Sequence, residues 1–88
     1  MNNNIYNQNN LYINNNEYIA DLLKNNIGKY GIFYLSFCDA IEWRDSIFEG
    51  VIEQAGKDYV LIYNSKENKR YLLWMIYINY VIFNEMLN

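Results

Sequence analysis

Eighty-eight residues with seven Lys and Arg, ten Asp and Glu and no histidine make one small domain. It lacks the excess positive charge that drives phosphate binding, and the side chain that most often moves protons near neutral pH. Ten Tyr, four Phe and two Trp bring large contact area at little entropic cost, which suits packing and adhesion, although an AT-rich genome would enrich Asn, Ile, Tyr and Lys in the same way. Cys38, the single cysteine, excludes an internal disulfide and a multi-cysteine metal site, leaving a half-buried thiol near a strand end or a crosslink between chains. No cofactor or metal is expected.

Nine of the first sixteen residues are Asn, and the few apolar ones show no sustained period, so residues 1–16 are expected to be a disordered tail and residues 17–88 the folded domain. The opening "MNNNIYNQNN" has neither a basic start nor an apolar run, which argues against a signal peptide and for a protein kept on the cytoplasmic side of a membrane. Such a tail cannot bury enough apolar area to offset its ordering entropy. Deleting Met1–Asn16 is therefore expected to leave the thermal unfolding temperature unchanged, and a drop of many degrees would mean that Ile5, Leu11 or Ile13 packs on the domain.

Asn16 is the expected cap of a helix whose first turn holds Glu17 and Asp21, with Ile19, Leu22 and Leu23 on its apolar face. Asn25, Asn26 and Gly28 supply the stop. The period then changes to two: Phe33, Leu35 and Phe37 fall on one face of a strand, with Ile32, Tyr34 and Ser36 on the other. "DAIEWRD", Asp39–Asp45, breaks the alternation and reads as a loop. A second strand, Ser46–Gln54, points Phe48 and Ile52 inward, and Gly50 permits the close backbone approach of a bent strand.

"AGKD" and "NSKENK" are turns, the first built on Gly56 and Asp58. Strands follow at Tyr59–Tyr63, Arg70–Met75 and about Tyr77–Phe83. The apolar run Tyr71–Phe83 is shorter than the ~20 residues of a spanning helix and is interrupted by Asn79, so it reads as two strands. One short helix and five bent strands predict a mainly β protein, a small five-stranded β-barrel.

Helix, bent strands, "F-x-G-x-I" on the second strand and "D-x-V-x-I" opening the third are similar to the Sm-like barrel family, which includes a bacterial RNA chaperone. That resemblance implies subunits that assemble into rings by pairing edge strands, and nucleic-acid binding as an alternative function. Sm-like RNA sites use basic and polar groups after the third and fourth strands, where "RYLLWMIYI" offers Arg70 alone.

"W-x-x-x-x-F-x-G-x-I-E-x-A-G-x-D" together with "K-R-Y-L-L" resembles the C-terminal domain of the GerQ family of spore coat proteins over nearly everything after the tail. The resemblance implies a non-enzymatic scaffold of the inner spore coat, made in the mother-cell cytoplasm. It also implies other coat proteins as partners, and retention of a cortex-lytic hydrolase of the CwlJ type needed for germination. A coat transglutaminase, which joins Gln to Lys, is a further implied partner. The tail holds Gln8 and no Lys, so crosslinking would fall on Gln8 or on lysines of the folded domain.

For catalysis, Glu42 with Asp45 and Glu49 with Glu53 are the available carboxylate pairs, better read as a solvated polar edge; Cys38 and Ser36 lack a base. Trp43 and Arg44 are the candidate protein-contact residues, an indole beside a guanidinium being a composition enriched in interface hot spots; the alternative is Trp43 folded over the barrel mouth. Trp74 is assigned to the core or to a subunit interface. Gly50, Gly56 and Asp58 are assigned structural turn roles, with the Asp58 carboxylate accepting main-chain N–H groups. Lys69 and Arg70 read as a solvated strand edge in preference to a phosphate site.

Overall fold

A computed structural model of the chain describes residues 15–38 and 43–88, with the main chain alone at 15–17, 38, 43 and 44. Helix α1 (Asn15–Lys24) begins one residue before the expected cap. It ends where the sequence places its stop: Asn25 N–H donates to Asp21 C=O, Asn26 N–H donates to Leu23 C=O, and Gly28 takes a left-handed φ of 96°, which glycine adopts without steric cost. The buried face differs from the expected one. Ala20 and Leu23 are buried while Ile19 is left partly exposed. α1 packs on the second strand.

The sheet holds β1 (Tyr30–Cys38), β2 (Trp43–Ala55), β3 (Tyr59–Asn64), β4 (Lys69–Trp74) and β5 (Ile78–Phe83), in the order β4-β3-β2-β1-β5. Every pairing is antiparallel. The mainly β class and the one short α-helix among the described residues agree with the sequence reading, but the sheet does not close into the expected barrel. β4 pairs with β3, β5 pairs with β1, and the three-residue 3-10 turn Met75–Tyr77 carries the chain from one edge to the other without a ladder between them.

A second correction concerns "DAIEWRD". Trp43, Arg44 and Asp45 belong to β2, their backbones opposite Cys38, Phe37 and Ser36, because main-chain pairing in a long hairpin tolerates the charges that broke the alternation. Asp39–Glu42 lie outside the described residues.

Period-two alternation sends Phe33, Leu35, Ile52, Val60, Ile62 and Leu73 into one core with Leu23 and Ala55, and Phe37 and Phe48 pack on its rim. Trp74 is not in that core: almost half of its surface is exposed, since it alternates with the buried Leu73. Two ladder irregularities each leave one residue unpaired. They place Glu53 as the extra residue against β3 and Asn79 as the extra residue against β1, the arrangement of a β-bulge that re-aims a side chain.

The β2–β3 turn is tied by main-chain hydrogen bonds. Gly56 N–H donates to Tyr59 C=O at 2.9 Å, while at Asp58 the main-chain carbonyl accepts Met75 N–H at 2.9 Å and the residue is exposed. Asp58 thus ties the β2–β3 turn to the end of β4 through its backbone. Asn64, nearly buried, donates to Glu49 C=O and accepts from Glu67 N–H, each at 3.0 Å, and so closes the β3–β4 turn from within.

Candidate contact surface

The outward face of β2, β1 and β5 gathers apolar side chains in cross-strand rows. Ile47 stands opposite Tyr34, which stands opposite Tyr80; in the next row Glu49, Ile32 and Ile82 are neighbours. The Tyr34 and Tyr80 rings stack at 4.5 Å between centroids and 16° between planes, and Ile47 and Tyr80 are each more than half exposed. Cross-strand aromatic and aliphatic pairs of this kind stiffen a sheet while leaving contact area in water.

A polar row borders the apolar one. The Ser36 hydroxyl donates to Asp45 Oδ1 at 2.9 Å and accepts from Asn79 Nδ2. Asn79 reaches this face because it is the extra residue of the β5 bulge. A shallow depression of about 270 Å³ lies over both rows, lined by Tyr34, Ser36, Asp45, Ile47, Asn79 and Tyr80. An apolar patch with a satisfied polar border has the makeup of a protein-contact surface.

Sequence reasoning placed Tyr34 and Ser36 on one strand face but did not find this surface. Its assembly depends on β5 returning to pair with β1 and on the bulge at Asn79. Trp43 and Arg44 stand at the far end of the same β1–β2 hairpin, two strand positions beyond Asp45 and Ser46. Gln8 lies outside the described residues.

Among the described residues no group of three or more His, Cys, Asp or Glu is placed to hold a metal ion, and Ser36 faces an amide and a carboxylate that already engage it. No described helix is long and apolar enough to cross a membrane.

Arg70 is occupied as well. Its Nε and Nη2 donate to the Glu53 carboxylate at 2.8 and 3.2 Å, and its guanidinium lies 4.6 Å from the centre of the Tyr63 ring. The hydrogen bond and charge of Glu53 raise its pKa further above the ordinary value. The Arg70 side chain is more than half exposed, so the pair orients the guanidinium and holds it only weakly in water. The Tyr71 hydroxyl donates to Glu67, which raises the Tyr71 pKa above that of a free phenol; that contribution to stability is present below the phenol range and is lost as pH climbs through the raised value.

The sequence model of the spore coat protein family Spore_GerQ matches residues 14–88. The chain is also 44% identical over 68 residues to the spore coat protein GerQ of Bacillus subtilis strain 168. That match covers 77% of this chain and 38% of the relative, so the chain spans well under half the length of the curated protein it resembles.

Proposed function

The chain belongs to the GerQ family of spore coat proteins, and from that premise we propose that it is a non-enzymatic scaffold of the inner spore coat that holds a cortex-lytic hydrolase in place for germination. The observation that carries this reading is the Ile47–Tyr34–Tyr80 row with its Asp45–Ser36–Asn79 border, a surface fit for a protein partner. Trp43 and Arg44, at the end of the same hairpin, are further candidate residues for that partner. Other coat proteins are its neighbours in this reading. A coat transglutaminase acts on Gln8 or on exposed lysines of the domain, such as Lys24, Lys57 and Lys66.

Two measurements test the reading at its base. Mass spectrometry of fractionated spores is expected to find the protein in the inner coat fraction, and its recovery only from the vegetative cytosol would contradict the proposal. A titration of the purified chain with single-stranded RNA at low salt is expected to show no saturable binding, given three net negative charges and an Arg70 engaged by Glu53. Binding that falls steeply as salt is raised would instead restore the Sm-like nucleic-acid reading.

A further inference from the structure

We propose that the partner protein docks by adding an extended segment to the uncovered stretch of β2, and that this segment carries the pattern basic-x-apolar-x-basic. The inference rests on reading this surface as a protein contact, and it specifies what the partner brings to it.

β2 lies inside the sheet, yet part of it has an open side. The strand runs for thirteen residues, Trp43–Ala55, while β3 pairs only with its Val51–Ala55 end. From Asp45 to Glu49 it has β1 on one side and, among the described residues, no strand on the other. In an antiparallel ladder the main-chain N–H and C=O groups of every second residue point to the same side. Asn64 Nδ2 donates to Glu49 C=O from the end of β3, and Val51 stands opposite Tyr63, so the groups of Asp45 and Ile47 also face the open side. An added strand would continue the line of β3, the arrangement by which an extended peptide augments a sheet.

The side chains select which strand is added. Asp45, Ile47 and Glu49 share the outward face, with Ile47 more than half exposed and a carboxylate two positions away on either side. Two shallow depressions meet at Ile47. One, of about 270 Å³, holds Tyr34, Tyr80 and Asp45; the other, of about 160 Å³, reaches from Ile47 and Glu49 across to Glu67 and Tyr71. Among the described residues no Lys or Arg lines either one. Asp45 accepts from the Ser36 hydroxyl and Glu67 from the Tyr71 hydroxyl, which holds both carboxylates in position. Like charges placed opposite each other are unfavourable, so this edge resists a second β2 and favours a strand with Lys or Arg opposite Asp45 and Glu49. An apolar residue between those cations falls against Ile47. The pattern reads the same in both directions, so it holds for a parallel or an antiparallel addition.

Fluorescence anisotropy with the full chain and a labelled peptide whose core is Lys-Thr-Val-Thr-Lys, at about 0.1 M salt, tests the proposal. Saturable binding is expected, and a Glu-Thr-Val-Thr-Glu peptide should bind at least about tenfold more weakly. Asp45→Lys/Glu49→Lys should reverse that preference, and the comparison of the two peptides on the natural chain keeps the test decisive should the variant fail to fold. Hydrogen exchange should show the amides of Asp45 and Ile47 gaining protection with the first peptide, while those of Ser46 and Phe48, which face β1, stay unchanged. No binding, equal binding of the two peptides, or protection confined to other strands would overturn the proposal. The measurement uses no hydrolase: a chain that retains the hydrolase without binding the peptide contradicts this inference alone, and one that binds the peptide without retaining the hydrolase supports it and contradicts the proposed function.

Discussion

Replacing Gly50 with Val is expected to unfold the domain near ordinary growth temperatures. A Cβ on Gly50 would sit 2.5 Å from Tyr63 O, 2.8 Å from Tyr63 C and 3.2 Å from Asn64 N. These are main-chain atoms of β3 that cannot rotate away. The strand must move instead, and with it the ladder that holds Ile52 opposite Ile62, both fully buried. Overpacking against side chains costs about 1–3 kcal/mol, and a clash with fixed backbone belongs at or beyond the top of that range. A domain this small has only about 5–10 kcal/mol of stability to lose. Gly50→Ala should lower the unfolding temperature by more than about 10 °C, and Gly50→Val by more. Gly28→Ala is the control: its Cβ meets nothing within 4 Å, so only the strain of the φ of 96° remains, about 1 kcal/mol. Equal melting of the Gly50 and Gly28 variants would show that β2 and β3 do not approach as described.

Asn26→Leu is expected to be the second most damaging change. Asn26 is fully buried and joins two ends of the fold: its Nδ2 donates to Leu22 C=O at 2.6 Å, and its Oδ1 accepts Asn88 N–H at 2.7 Å. Leucine has a similar volume and no polar atoms, so the carbonyl at the end of α1 and the Asn88 amide both lose their partner. Leaving two part-buried groups unsatisfied costs about 2–4 kcal/mol, or roughly 10–20 °C in unfolding temperature for a domain of this size. Hydrogen exchange at residues 84–88 should accelerate at the same time, because the polar ties that remain there are the Lys29 ammonium donating to Met86 C=O and a long bond from Asn88 Nδ2 to Asn25 C=O. An unfolding temperature within a few degrees of the natural chain would mean that Asn26 is not the clasp.

The fold was largely legible because its signals are local. Alternation placed Phe33 and Leu35 on one strand face and pointed Ile52 inward, and Gly28, Gly56 and the "NSKENK" turn marked where elements end. The open sheet was not legible, since closure depends on how far β4 and β5 diverge after Met75–Tyr77, which no residue type records. Trp43–Asp45 were misread as loop because charge patterning speaks for solvent exposure, not for whether the backbone pairs. Asn26 and Asn64 were hidden by composition: in a chain so rich in Asn, a buried asparagine looks like its exposed neighbours. The contact surface needed both the return of β5 to β1 and the one-residue bulge at Asn79, and neither has a signature in the sequence.

The central claim is that the outward face of β1, β2 and β5 retains a hydrolase in the coat. Spores carrying Ile47→Lys/Tyr34→Thr should be purified and their coat extracts assayed for the cortex-lytic enzyme, alongside the amount of this protein itself. The expected result is a normal level of the variant protein with the hydrolase reduced several-fold and germination slowed to match. Full hydrolase content in spores that hold the folded variant would contradict the account.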